Sequence, residues 1–61
     1  MPKVGNVVQT GDGAIGAVVD WVDHGMRPGT FTIEWDETTF SGTGPPRHWT
    51  KDRAAALKVL S

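Results

Sequence analysis

Cysteine and tyrosine are both missing from this chain of 61 residues. Without cysteine there is neither a disulfide framework nor a thiolate metal site to supply stability. Without tyrosine, any cluster of aromatic rings has to come from three Trp and two Phe. No segment approaches the roughly 18 apolar residues that a membrane span requires, and the opening "MPKVGNVVQTG" has no apolar run of signal-peptide length. A soluble, cytoplasmic protein with no membrane partner is the expectation. A strong excess of one charge is also lacking. The formal net charge is −1, which argues against a protein devoted to non-specific nucleic-acid binding, since that affinity rests on many Lys and Arg.

What is present points to one compact unit, residues 1–61, close to the size at which a chain can still fold alone. Barrel closure or self-association then has to make up for the small core. Apolar residues are 38% of the chain and are concentrated in Val, Ile, Leu, Phe and Trp, which bury large areas each. Charge is divided along the sequence. Between Asp12 and Glu37 six acids stand against Arg27 alone, whereas from Thr38 onward Arg47, Lys51, Arg53 and Lys58 face only Asp52. That asymmetry can steer a partner or align copies head to tail, or the two halves can neutralise each other across the fold.

Eight Gly and four Pro cut the chain into apolar runs of strand length, the pattern of an all-β meander. Val4 to Thr10 reads as a first strand ending at the turn "GDG". Ala14 to Asp23 reads as a long second strand, apolar on both faces and carrying a glycine. A bent strand that feeds the core from one face before the bend and from the other after it has this pattern. His24 to Gly29 reads as a loop. Phe31, Ile33 and Trp35 then alternate with Thr30, Thr32 and Glu34 in a half-buried third strand. Asp36 and Glu37 are expected to turn the chain into a short fourth strand, "TTFS", closing a hairpin from Thr30 to Ser41. "GTGPP" is a loop and "RHWT" an extended segment. In "TKDRAAALKVLS", Thr50 can cap a helical turn over about residues 51–55, followed by a closing strand over 56–60 that pairs with the first; one helix over 51–60 is the alternative.

The residues "GDGAIGAVVDW" and "FTIEWD" resemble the glycine turn, bent strand and "WD" strand of the SH3-like small barrels, which include Tudor, KOW and Mib/Herc2-type modules. The resemblance covers most of the chain through short motifs. It implies a barrel of about five strands with one short helical turn before the last strand. It does not carry over a ligand. Tudor-like readers hold a quaternary cation in an aromatic cage, for which Trp21, Trp49 and Phe40 supply at most a partial set. KOW modules are basic, and this chain is not. The "VQIY" motif of the plasmid-type dihydrofolate reductases is absent. The charge pattern and the Ala, Gly, Val and Trp usage suit a small phage or actinobacterial accessory protein.

Nothing in the sequence assembles a catalytic constellation. His24 and His48 have no His or Cys at ligand spacing. Asp20 with Asp23, and Asp36 with Glu37, border turns where solvated acids are ordinary. "GDGAIG" lacks the Lys and Ser/Thr of a phosphate loop and leads into a strand. No enzyme, cofactor, metal or small-molecule substrate is expected. The segment that stands out is "GPPRHWT", in which stiff prolines precede Arg47 and Trp49 on one face of an extended strand. Arg and Trp are enriched at interface hot spots. The reading is a non-enzymatic module whose contact surface combines Arg47, His48, Trp49, Lys51 and Arg53, extended by Phe40 and by the loop around Met26 and Arg27. Its partner is a protein, or a second copy of the chain. The alternative is a weak nucleic-acid binder that stacks Trp49 on a base. Against both stands a Trp49 that fills the interior.

Overall fold

A computed structural model describes residues 2–61. The chain forms β1 (Val7–Gln9), β2 (Ile15–His24), β3 (Arg27–Trp35), a 3-10 turn (Glu37–Thr39), β4 (His48–Thr50), α1 (Lys51–Ala54) and β5 (Lys58–Val59). All strands belong to one antiparallel sheet in the order β4-β3-β2-β1-β5. The all-β reading with one helical turn before the last strand is the observed architecture.

β2 bends as its two-faced pattern requires. Val18 pairs with Ile33, and a bulge at Val19 shifts the register so that Asp20 pairs with Thr32. The extra residue flips the side-chain alternation. Val18 faces the core before the bulge and Trp21 after it, where its ring lies 4.4 Å from Phe31. The loop expected over residues 24–29 is shorter than the sequence suggested. β2 runs to His24 and β3 restarts at Arg27, its pair across the ladder, leaving only Gly25 and Met26 as the turn. Gly25 at φ +69° takes the position in a two-residue hairpin loop that a side chain disfavours.

The expected hairpin over Thr30 to Ser41 does not form. Asp36 Oδ1 accepts from the Thr38 N–H (3.0 Å) and hydroxyl (2.7 Å). The Thr39 hydroxyl donates to the Asp36 carbonyl at 2.6 Å and accepts from the Ile15 N–H at 2.8 Å. These bonds close a 3-10 turn where a fourth strand was expected, and the partner of β3 is instead "HWT", with Phe31 opposite Trp49.

α1 and β5 follow the first of the two C-terminal readings. The Thr50 hydroxyl accepts from the Arg53 N–H, and Val59 pairs with Val8. The expected closure into a barrel is corrected, because β4 and β5 end the sheet on opposite sides. The two edge strands are only three and two residues long. α1 stands between them, and the segment leaving it places Ala54 and Leu57 in the core with Val8, Val18, Phe31 and Ile33. Side chains from that crossover fill the open side that strand pairing would have closed.

Candidate functional site

The "GPPRHWT" segment is built around one carbonyl. Trp35 and Trp49 lie on neighbouring strands, rings 6.0 Å apart and tilted by 52°, and both donate their indole N–H to the Pro46 carbonyl, at 2.9 and 2.6 Å. A carbonyl has two lone pairs and can accept both. Proline restricts φ at this position, and the Arg47 carbonyl that follows accepts from the Ile33 N–H at 2.8 Å. The two tryptophans therefore clasp the start of β4 against β3.

Trp49 is half-buried against the core, and its exposed side is already occupied. The Arg53 guanidinium carbon stands 5.1 Å from the Trp49 ring centre, the arrangement of a cation–π contact worth about 0.5–1 kcal/mol when exposed. Indole edge and ring face both have partners. The ring is a fixed part of the edge, which weakens the stacking role considered from the sequence.

Bonds alternate along an antiparallel ladder. With the Arg47 carbonyl bonded to Ile33 and Trp49 opposite Phe31, the backbone groups of His48 and Thr50 point away from β3. β4 ends the sheet and the Thr50 carbonyl is taken by the first turn of α1, so the open edge is the His48 N–H and carbonyl with the Thr50 N–H, flanked by the exposed side chains of Arg47, His48, Lys51 and Arg53.

The eight residues singled out from sequence are not one surface. Arg47, His48, Trp49, Lys51 and Arg53 follow one another along β4 and α1. Phe40 is separate. It lies with Arg47, Trp35, Pro45 and Glu37 around an open groove of about 420 Å³, its ring so close to Gly44 that a β-carbon there would fall 2.2 Å away. Met26 and Arg27 sit at the β2–β3 hairpin tip, with Met26 fully exposed. β4 begins to pair with β3 only at Thr30, three residues from Arg27 and so about 10 Å along the strand. Sequence reading missed the part played by Trp35 and Pro46. The available signal was the Pro-Pro pair between two tryptophans.

Among the described residues, no three His, Cys, Asp or Glu side chains converge as a metal site would need. Three of the four acids that looked paired in sequence serve the backbone. Asp20 accepts from the Trp21 N–H (2.8 Å), Asp23 from the Gly25 N–H (2.9 Å), and Asp36 caps the 3-10 turn. The carboxyl of Asp36 is held below its ordinary value of 3.8 by the Thr38 hydroxyl, then by the Thr38 N–H.

Compared with family models, with curated proteins and with solved structures, the chain matches none.

Proposed function

We propose that this chain is a non-enzymatic protein-binding module, an opened relative of the SH3-like small barrels, and that its partner docks along the β4–α1 edge. Support for the fold relationship comes from the strand order, the bulged second strand and the helical turn before the last strand. The observation that carries the function is the open β4 edge, where the outward N–H and carbonyl of His48 and the N–H of Thr50 are framed by Arg47, Lys51 and Arg53. An extended segment of a partner can add to such an edge through main-chain bonds, while flanking charges select its sequence. Because Trp35 and Trp49 already fix β4, docking costs little ordering of the module.

The Arg53 guanidinium over Trp49 favours protein over nucleic acid, since base stacking needs the free ring face that Arg53 covers. Acids spent on backbone N–H groups favour binding over catalysis. The test is an NMR titration with an extended acidic peptide and, separately, with single-stranded oligothymidylate. Amide shifts confined to residues 47–53 with the peptide are expected. Saturable binding of the oligonucleotide with a steep salt dependence, and none of the peptide, would replace this reading with the nucleic-acid one.

A further inference from the structure

Across the outer half of the sheet, three strands lie side by side without β1. His48, Thr32 and Asp20 form one row, Trp49, Phe31 and Trp21 the next, and Thr50, Thr30 and Val22 the third. β1 and the segment before it hydrogen-bond to β2 only as far as Val18, which bonds to Gly5 and Asn6, while Pro2, Lys3 and Val4 share a groove with Trp21 and Phe31. Beyond Val18, β2 is itself an edge, on the side of the sheet opposite β4. The two edges differ in sign. β4 is flanked by Arg47, Lys51 and Arg53 against Asp52 alone, while the free stretch of β2 carries the exposed Asp20 and Asp23 beside exposed Val19 and Val22.

We infer that the partner of the β4–α1 edge is a second copy of this chain, docked by the acidic β2 edge, Val19 to Asp23. This inference rests on the docking reading proposed above for β4. Opposite charge on opposite edges is complementary only head to tail. Two β2 edges brought together would oppose Asp20 and Asp23 to their own copies, and two β4 edges would oppose Arg and Lys, so a symmetric dimer through either edge is repelled. The contact is heterologous, the pair keeps one free edge of each sign, and association is open-ended. The Trp21 N–H is already taken by Asp20, so side-chain charge, Val19 and Val22 carry more of this contact than a full ladder of backbone bonds does.

The test uses two charge-neutralising variants and sedimentation equilibrium. Asp20→Asn with Asp23→Asn keeps the oxygens that accept from Trp21 and Gly25 while removing the acidic edge. Arg47→Gln with Lys51→Gln and Arg53→Gln removes the basic edge. The wild type is expected to grow in mass with concentration in dilute buffer and to fall to monomer at about 0.5 M salt, where charges are screened within a few ångströms. Each variant alone is expected to be monomeric, and an equimolar mixture to stop at twice the monomer mass, because the mixture retains one edge of each sign. A wild type that stays monomeric, or a mixture that never dimerises while the wild type associates, overturns the inference. Titration with the acidic peptide separates the two failures. Peptide binding at residues 47–53 to a monomer leaves the docking reading standing and removes only the second copy, whereas absence of both removes both.

Discussion

At Gly16 an added β-carbon would lie 2.7 Å from Trp35 Cε3, 2.8 Å from Ile33 Cγ2 and 2.9 Å from the Glu34 carbonyl. Two of those neighbours are packed core groups and one is backbone, so none can retreat freely. Gly16→Ala is expected to cost about 1–3 kcal/mol, the range for overpacking, visible as a lower urea midpoint with an unchanged slope. Asp36 gives a pH dependence. Its folded carboxyl lies below the ordinary 3.8 because Thr38 bonds to the ionised form. As pH falls the unfolded chain takes up the proton first, so this stabilisation is complete above the unfolded value and is lost as pH drops through the folded one. Asp36→Asn keeps an acceptor for Thr38 but has no charge to lose. Thermal melts at about pH 6 and about pH 2 should show a smaller acid loss in the variant than in the wild type; equal losses would remove Asp36 from the acid response.

At the scale of elements, β4 is held to β3 by the Trp35–Pro46–Trp49 clasp as well as by its ladder of three pairs. Trp49→Phe keeps an aromatic ring on the core and removes the N–H that donates to Pro46, without orphaning the carbonyl, which retains Trp35. The expected loss is about 0.5–1.5 kcal/mol, the net value of one hydrogen bond. Faster amide exchange at position 49 than in the wild type would accompany it, and a variant that exchanges like the wild type would deny the clasp. This element also shows what sequence could reveal. Alternation identified Phe31 and Ile33 as core, the two apolar faces of β2 announced its bend, and Thr50 announced the cap of α1. The 3-10 turn was hidden because the Thr and Phe of "TTFS" favour strands, and only the spatial meeting of Thr39 with Ile15 makes the turn the better choice. The candidate edge was legible as "GPPRHWT", but its separation from Met26 and Arg27 depends on register, which a local pattern does not carry.

For the whole molecule, stability has to come from a small core covered by a short helical crossover in place of a closed barrel. At about 0.05–0.15 kcal/mol per residue, a chain of this length is stable by roughly 3–9 kcal/mol. Six buried residues form the core cluster, and Ile33 at its centre is wholly inaccessible. It pairs with Val18 on one side and donates its N–H to Arg47 on the other, so it joins the bent strand to the candidate edge. Truncation of a buried Ile to Ala costs about 2–5 kcal/mol, more where the cavity cannot collapse. The sheet on either side of Ile33 is hydrogen-bonded and cannot close over the gap. Ile33→Ala therefore removes a large share of the total, and circular dichroism in a urea series at 25 °C should show a midpoint shifted far down, with a measurable unfolded fraction before denaturant is added. A variant with the midpoint of the wild type would mean that this core is not what holds the sheet together. If copies associate head to tail, the loss is partly recovered at high protein concentration, because association draws on the folded state alone.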